Sequence, residues 1–181
     1  VKPGTYNLPA GGINIQRTTA TQNFTVRGTG GVSDVFIKCS DITQDIFYIK
    51  GFKNVLFENL TLNRGKYGLY IRNTLTCSVI NCQFAQLGSS GSPSVHNFSN
   101  TQAQQLAHWQ GSSTSDGGAL RIRVCNKIQV KDCYVWRCLR GIRLQDISNI
   151  SLNLPSLVTN NRIYQTLESS IYCASASYAF T

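Results

Sequence analysis

A five-residue phrase recurs along the chain at nearly constant intervals and limits the folds open to it. Its copies begin at residues 24, 47, 69, 120, 142 and 171, and they read FTVRG, FYIKG, LYIRN, LRIRV, IRLQD and IYCAS. The intervals of 23, 22, 51, 22 and 29 residues indicate a unit of about 22 residues with one long and one short insertion. A second phrase (VLFENLTL, CSVINCQF and IQVKDCYV, from residues 55, 77 and 128) keeps the same intervals of 22 and 51. Two phrases in one register predict stacked copies of one structural unit.

The phrases alternate apolar and polar residues, as a strand with one buried face does, and Gly, Asn and Asp supply turn residues at their ends. Pairing each strand with its equivalent in the next unit predicts an all-β fold, a parallel β-helix of about six to seven coils. The first and third positions then face inward as two stacks: Phe24, Phe47, Leu69, Leu120, Ile142 and Ile171, and Val26, Ile49, Ile71, Ile122, Leu144 and Cys173. Asn59, Asn81 and Asp132 align at a second bend, where side-chain hydrogen bonds support a tight turn. A sandwich or barrel of hairpins is the alternative, although it would not require a constant register.

The length of 181 residues fits a single β-helix domain over 1–181. The 51-residue interval contains one long loop insertion, about residues 85–117, which is rich in Ser and Gly. It carries both histidines of the chain, His96 and His108, together with Trp109 and Asp116, and a short helix is predicted from an N-cap at Ser99 or Asn100. We expect the loop to lie along one side of the outward face of the repeated strands. His108 and Asp116 would then be the acid or base groups that approach this face.

Composition points to the kind of partner. Seventeen Lys and Arg stand against eight Asp and Glu, which predicts an anionic partner such as an acidic polysaccharide, a nucleic acid or a membrane surface. Charge alone does not choose among them. The scattered carboxylates do not form a recognisable metal-binding cluster, so no metal and no cofactor are predicted.

Several features favour an extracellular or cell-surface location. The chain begins at Val1 and has no signal-peptide segment, so we expect a processed protein or a fragment of a longer chain. No apolar run is long enough to span a bilayer. Four Asn-x-Ser/Thr triplets predict N-glycosylation at Asn23, Asn59, Asn97 and Asn149.

The cysteines fit the same location. Seven Cys without a CxxC spacing suit an oxidising compartment, with one thiol left over. Cys82 and Cys133 share a register in consecutive coils, where a disulfide and a buried thiol stack are both open. Cys39, Cys77, Cys125 and Cys138 lie near turns and are further candidates for pairing.

The sequence resembles the pectin-lyase-like superfamily. The likeness lies in PGTYNLP (3–9), TVRGTGG (25–31), FKNVLFENLTL (52–62) and the coil from GLYIRN to CSVINCQF (68–84), and it covers most of residues 3 to 175. It implies a right-handed parallel β-helix. The family includes pectate and pectin lyases, polygalacturonases, alginate and other uronate lyases and phage tailspikes, and also noncatalytic adhesins and surface proteins, so the motifs specify the coil more strongly than the activity.

The outward positions of the repeated strand carry the candidate ligand-binding residues. The second position is Thr25, Tyr48, Tyr70, Arg121, Arg143 and Tyr172 along the stack, and the fourth is Arg27, Lys50, Arg72, Arg123, Gln145 and Ala174. Neighbours on adjacent parallel strands lie about 4.8 Å apart, where two unit charges repel by about 1 kcal/mol even in bulk water. The predicted glycan-binding face consists of Arg27, Tyr48, Lys50, Tyr70, Arg72, Arg121, Arg123, Arg143 and Tyr172.

Two interpretations of this face remain open. It is a solvated strand surface, or it binds an acidic glycan, with Arg side chains pairing with carboxylate or sulfate while Tyr rings lie against the sugars. A single-stranded nucleic acid could use the same interleaving, but the glycosylation triplets make that partner less favoured. The predicted function is therefore a secreted, glycosylated and noncatalytic β-helix module that binds acidic glycans or builds an extracellular surface or fibre assembly.

Catalysis is the alternative. Glycoside hydrolysis needs two carboxylates, yet neither outward column contains one, and the Asn-Thr-Asp, Asp-Asp and His-Gly signatures of polygalacturonase-like members are missing. A metal-independent polysaccharide (uronate) lyase is compatible with the face, because β-elimination needs a cation for the uronate carboxylate and a base for the C5 proton. The residues for such a reaction would be Lys50, Tyr70, Arg72, Arg121, Arg123 and Arg143.

The two ends of the coil suggest self-association. A stacked-coil protein needs capping at its terminal strands, and no amphipathic helix precedes PGTYNLP, while the chain stops soon after the last phrase. We therefore expect either further protein in the natural chain or end-to-end association of neighbouring molecules.

Overall fold

The fold is known from a computed structural model that describes residues 1–88, 116–148, 156–166 and 169–174. These residues form fifteen strands and no helix. The strands are β1 (Gly4–Leu8), β2 (Ile13–Gln16), β3 (Asn23–Arg27), β4 (Val35–Cys39), β5 (Phe47–Lys50), β6 (Asn54–Glu58), β7 (Thr61–Gly65), β8 (Tyr67–Ile80), β9 (Gln83–Leu87), β10 (Gly118–Lys131), β11 (Tyr134–Trp136), β12 (Arg140–Ile147), β13 (Leu157–Thr159), β14 (Arg162–Tyr164) and β15 (Ser169–Ala174). The prediction of an all-β fold is confirmed.

Every strand pairing is parallel, and equivalent strands of successive coils lie side by side in three columns. The first column runs β2, β5, β8, β10, β12 and β15. The second runs β3, β6 and the C-terminal halves of β8 and β10, followed by β13. The third column is a six-stranded sheet in the order β1, β4, β7, β9, β11 and β14. This is the predicted parallel β-helix; the number of coils in the whole chain stays a prediction.

The corners between columns are made by residues in the left-handed backbone region, and these also stack. One corner has Gly51, Asn73, Val124 and Asp146, the next has Asn59, Asn81, Asp132 and Asn160, and the third has Arg64, Gln86, Arg137 and Gln165. At the second corner the side-chain amide of Asn81 donates to Asn59 Oδ1 at 2.8 Å, and Asn160 donates to Asp132. The predicted alignment of Asn59, Asn81 and Asp132 is confirmed. Asn160 extends it by one coil, since Asn tolerates the left-handed conformation.

The core fills the interior of the coil with residues from all three columns. Phe47, Leu69, Leu120 and Ile142 are buried as predicted, and so are Ile49, Ile71, Ile122 and Leu144, which form the adjacent stack. Ile171 and Cys173 continue these stacks in register on β15, but both are exposed. The interior prediction therefore holds for the middle four copies of the phrase.

The first copy of the phrase belongs to another column, and its predicted alignment with FYIKG is wrong. Strand β3 pairs with β6, so that Phe24 lies beside Val55 and Arg27 beside Glu58. Phe24 and Val26 thus belong to the second column. The Arg27 guanidinium is ion-paired with the Glu58 carboxylate at 2.5 Å, instead of facing Lys50.

Strand β2 occupies the place that was predicted for FTVRG. Ile13 and Ile15 pair with Phe47 and Ile49 of β5. The corner after β2 is longer than its later equivalents, since Phe24 follows Ile13 by 11 positions whereas Val55 follows Phe47 by 8. The alternation of polar and apolar residues predicts a strand but not the column that the strand joins. Because the corner after β2 is longer, counting residues from the later coils assigned β3 to the wrong column.

Parts of the predicted insertion lie outside the described residues. Strand β9 continues to Leu87, so residues 85–87 belong to the coil, and the described chain resumes at Asp116, just before β10. The short helix predicted from residue 99 or 100 falls outside the described ranges, as do His96, Asn97, His108, Trp109 and Asn149.

All seven cysteines are free, which settles the choice for Cys82 and Cys133 in favour of buried thiols. Six of them are buried, and burial raises the pKa of the Cys138 thiol to about 12 and that of Cys133 to about 11. They act as small apolar core residues. The cysteine count therefore gives no support to a disulfide framework in this fold.

This burial predicts the reactivity of the thiols. One fast-reacting thiol is expected in the native protein, Cys173, because it alone is exposed. The other six are expected to react only when the coil unfolds. Labelling with a thiol reagent before and after denaturation, followed by mass spectrometry, measures both classes. A Cys173→Ser variant that still labels rapidly would contradict the arrangement.

A second prediction concerns Val124, which has φ 55° at the first corner. The β-branched side chain is strained there, while the residues in equivalent positions are Gly51, Asn73 and Asp146. Replacing Val124 by Asn is expected to raise the free energy of unfolding by about 1 kcal/mol, measured by urea denaturation.

The matched control for this change is Leu75→Asn. Leu75 is 41% exposed and Val124 is 42% exposed, but Leu75 does not have a positive φ. The control is expected to bring no gain in stability. Equal gains in both variants would show that the added polar side chain, and not relief of backbone strain at Val124, stabilises the protein.

Candidate functional site

The outward residues of the first column form a continuous surface, here called the Tyr/Arg ladder. It consists of Tyr48, Tyr70, Arg121, Arg143 and Tyr172 in one row and Lys50, Arg72 and Arg123 in the row beside it. Strand pairing places each residue directly beside the next in its row, because equivalent positions of parallel strands project to the same side. Eight of the nine residues predicted for the glycan-binding face are therefore brought together. Arg27 is the exception.

Aromatic rings and guanidinium groups contact one another along the first row. The Tyr48 and Tyr70 rings meet edge to face with centroids 5.0 Å apart. The Arg121 guanidinium lies 4.8 Å from the Tyr70 centroid, and the Arg143 guanidinium lies 5.2 Å from that of Tyr172. These contacts are favourable cation–π geometries and hold both arginines against rings of neighbouring strands.

Asp116, the first described residue after the insertion, supplies the countercharge for one end of the ladder. Its Oδ1 accepts a hydrogen bond from Arg140 at 3.1 Å, and its Oδ2 lies 3.2 Å from the Lys66 ammonium. Arg121 and Arg143 approach the same carboxylate at 3.9 and 4.0 Å. One carboxylate thus lies among four cations. The prediction that Asp116 approaches this face is confirmed.

The buried Tyr67 side chain completes this cluster. Its hydroxyl donates to Asp116 Oδ1 at 2.9 Å. Partial burial alone would raise the pKa of Asp116, but the hydrogen bonds from Tyr67 and Lys66 and the charges of Lys66 and Arg121 outweigh it, so the pKa is lowered. Burial, and then the Asp116 charge, raise the pKa of Tyr67. Asp116 stays ionised and Tyr67 stays protonated.

A second carboxyl group, Asp45, lies close to this cluster. It sits in the turn before β5, and that turn is joined to the start of β8 by a hydrogen bond from the Ile46 amide to the Tyr67 carbonyl at 2.8 Å. Burial raises the pKa of Asp45 to about 6, against the opposing charge of Lys66. Its buried Oδ1 has no hydrogen-bond partner among the described residues. Asp45 therefore changes charge close to neutral pH beside the ladder.

The other end of the ladder has a surplus of positive charge. Lys50 and Arg72 are neighbours in the second row, and neither forms an ion pair with a carboxylate of the described residues. Arg123, by contrast, contacts Asp146 at 3.2 Å. The buried Nε–H of Arg72 also lacks an acceptor in the described part of the chain. A groove continues from Lys50 past Gln16, Arg17, Thr18 and Asn73.

Sequence reasoning missed four members of the site: Asp45, Lys66, Tyr67 and Arg140. Each lies at a corner or at the first residue of a strand, outside the five-residue phrase. A positional signal was present, because Asp45, Tyr67 and Arg140 each lie two residues before a copy of the phrase and Lys66 directly precedes Tyr67. The raised pKa of Asp45 had no such signal, since it depends on burial in the folded coil.

The predicted glycosylation residues have different surroundings. Asn23 is exposed at the start of β3, where its Oδ1 accepts from Asn54 at 2.8 Å. Asn59 is half-buried at the second corner and takes part in the stacked hydrogen bonds there. Within the described ranges, no helix is long and apolar enough to cross a membrane.

Comparison with known proteins identifies the fold. A family model described as a right handed beta helix region matches residues 11–181. No curated protein and no solved structure gives a significant match.

The environment of Asp45 predicts how stability depends on pH. Asp45→Asn is expected to raise the free energy of unfolding by about 1–3 kcal/mol near pH 8, because the folded state then no longer holds a buried carboxylate. A carboxyl group whose pKa is raised by folding favours the folded state most below its ordinary pKa of 3.8, and that contribution is lost as the pH rises through about 6. The advantage of Asn should therefore vanish towards about pH 4.

Asp41→Asn is the control, and it has the opposite sign. Hydrogen bonds from the Thr43 side chain and backbone lower the pKa of Asp41, so its ionised form favours folding. This variant should be slightly less stable than the unchanged protein at neutral pH. Thermal unfolding at both pH values tests the pair, and a gain for Asp45→Asn that is the same at pH 4 and pH 8 would contradict the assignment.

Proposed function

The chain belongs to the right-handed β-helix family, and on that premise we propose that it is a secreted, glycosylated module that binds acidic glycans along the Tyr/Arg ladder without cleaving them. The polymer lies along the coil axis, across successive strands. Its carboxylate or sulfate groups pair with the ladder cations, and its sugar rings lie against the tyrosines.

The observation that carries the proposal is the unbalanced pair of Lys50 and Arg72. Neighbouring strands hold these two cations side by side, and no carboxylate of the described residues forms an ion pair with either. Two adjacent like charges are unfavourable unless an anion lies between them. A polyanion provides that anion, and it also provides an acceptor for the Arg72 side chain.

The geometry of the tyrosines supports a polymer over a free anion. Tyr48 and Tyr70 adjoin the Lys50–Arg72 pair in the parallel row, so an anionic group and the sugar that bears it can be held by the same two strands. At the far end, Arg140, Arg143, Ser169 and Tyr172 line a further groove. A chain of several sugars is needed to reach from one end to the other.

Glycans are favoured over nucleic acid, the other polyanion that suits such a surface. The carboxylates of Asp116 and Asp146 lie among the ladder cations. A uronate polymer carries free hydroxyl groups on every sugar that can donate to these carboxylates, whereas a phosphodiester linkage offers only anionic acceptors. The exposed glycosylation triplet at Asn23 supports passage through a secretory pathway.

The proposal predicts that Lys50→Ala and Arg72→Ala each weaken binding to polygalacturonate, alginate or a sulfated glycan by about tenfold, because each removes a cation without a countercharge. Binding should also weaken with added salt. Affinity electrophoresis and calorimetry on the folded variants measure both effects.

Arg27→Ala is the matched control. Arg27 is an outward cation on the neighbouring column, and it is already paired with Glu58. Its removal should leave the affinity unchanged. A protein that none of these polymers retains, or that loses as much affinity with Arg27→Ala as with Arg72→Ala, does not bind through the ladder.

A metal-independent uronate lyase is the second candidate, and the surroundings of Tyr70 favour it. The Arg121 guanidinium stacks on the Tyr70 ring, Arg72 is two residues away on the same strand, and Arg123 lies beside Arg72 on the paired strand. A hydroxyl among cations could take the C5 proton of a uronate while an arginine neutralises its carboxylate.

Ultraviolet absorbance of the unsaturated product separates the two candidates on the same polymers. Steady product formation that is lost in Tyr70→Phe, with binding retained, would replace the noncatalytic proposal by the lyase. Retention without product supports binding alone. Assembly into an extracellular surface or fibre through end-to-end association stays a prediction.

A further inference from the structure

We propose that the third column carries a second binding site, which takes a neutral, hydroxyl-rich glycan chain. The site lies on the outward side of β9, β11 and β14 and shares no residue with the Tyr/Arg ladder. Its core is a set of three aromatic side chains, Tyr134, Trp136 and Tyr164, here called the aromatic patch.

Strand register brings the patch together. Trp136 pairs with Tyr164, so their side chains are neighbours on adjacent strands. Tyr134 is two residues before Trp136 on the same strand and therefore projects from the same side. Val135, between them, is fully buried in the core, which confirms that the three rings face outward.

The patch is open to solvent in a way that core packing does not explain. Tyr164 is 56% exposed and Tyr134 is 39% exposed. Large aromatic side chains that remain exposed together mark ligand-binding surfaces more often than isolated ones do. The Arg137 guanidinium lies 4.5 Å from the centroid of the Trp136 ring and donates to Gln165 Oε1 at 3.1 Å. This clamp holds the Trp136 ring in place.

A polar groove adjoins the rings and determines the class of ligand. It is lined by Asn81, Gln83, Asp132, Cys133, Tyr134, Asn160 and Arg162. The amide groups of Asn81 and Asn160 each donate to a neighbouring residue of the same corner, which leaves their carbonyl oxygens as acceptors for a ligand. The floor of the groove thus offers oxygen acceptors together with the Asp132 carboxylate.

The set of acceptors in the groove favours a neutral glycan over an acidic one. Sugar hydroxyl groups can donate to the amide oxygens and to Asp132, whereas an ionised carboxylate or sulfate has no proton to donate to them. The Lys131 ammonium already balances the Asp132 charge at 3.5 Å. Arg162 faces the same groove beside Tyr134 and can donate to ring or hydroxyl oxygens. The rings supply apolar surfaces for the C–H face of a sugar, and the groove beside them supplies the hydrogen bonds.

Trp136 offers a direct readout, because the chain has only two tryptophans and the other is Trp109. In a Trp109→Phe background, soluble β-glucan, mannan and galactan oligosaccharides are titrated while Trp136 emission is followed. At least one neutral oligosaccharide is expected to change the emission saturably. Tyr164→Ala is expected to weaken that ligand by about tenfold, and this exposed position can be changed without disturbing the core.

Two controls locate the effect. Phe36→Ala removes another outward aromatic ring of the third column, which also has a cation over it, since Lys38 Nζ lies 4.9 Å from the Phe36 centroid. This variant should bind the neutral ligand normally. Arg72→Ala, on the ladder, should also bind it normally, which separates this site from the proposed acidic-glycan surface.

Three results would overturn the site. The first is that none of the neutral oligosaccharides alters Trp136 emission or is retained on affinity electrophoresis. The second is binding that is unaffected by both Tyr164→Ala and Tyr134→Ala. The third is a preference for polygalacturonate or single-stranded DNA that is lost in those same variants, which would assign the patch to a polyanion. Binding of a neutral oligosaccharide that is weakened only by the patch variants supports the proposal.

Discussion

Parallel backbone pairing between successive coils is the constraint on which the rest of this molecule depends. Each strand hydrogen-bonds to its equivalent one coil away, so a position in one coil lies about 4.8 Å from the same position in the next. A preference for an apolar, polar or left-handed residue at one position is therefore repeated at the same position of each coil along the axis. The apolar stacks, the left-handed corners and the outward rows all follow from this one geometry, and a residue such as Val124 that does not suit its row is strained.

The same pairing brings like charges together, and the structure shows how that cost is reduced. Arg121 and Arg143 are direct neighbours, which by itself is repulsive. Asp116 lies within 4.0 Å of both guanidinium groups, and Arg121 also donates to Gln145 at 3.0 Å. The countercharge comes from the end of the insertion, since the strands themselves provide no outward carboxylate in these rows. Asp116 and the ladder therefore form one electrostatic unit.

Sequence reasoning succeeded where a property belongs to the repeat and failed where it belongs to one coil. The 22-residue interval was enough to place Tyr70 beside Tyr48 and Arg143 beside Arg121, because register in a parallel coil is a matter of counting. Counting failed for Arg27, since the first coil has a longer corner that no local pattern reveals. Asp45 could not be recognised either. Its carboxyl group matters only because the next coil buries it beside Lys66, and that contact is not encoded in the alternation of polar and apolar residues.

A coil with three columns can present surfaces of different character, because each column has its own outward rows and its own corner. The outward rows of the first column are rich in Lys and Arg, so its surface is cationic. Part of that charge is balanced by Asp116, which lies outside these strands. The third column follows the corner of Asn59, Asn81, Asp132 and Asn160, whose left-handed backbone favours Asn and Asp. That corner inevitably places amide and carboxylate oxygens at the edge of the adjacent strands. The requirement for a tight turn thus supplies hydrogen-bond acceptors beside Tyr134 and Arg162, and the chemistry of the two surfaces differs for a reason that lies in the backbone.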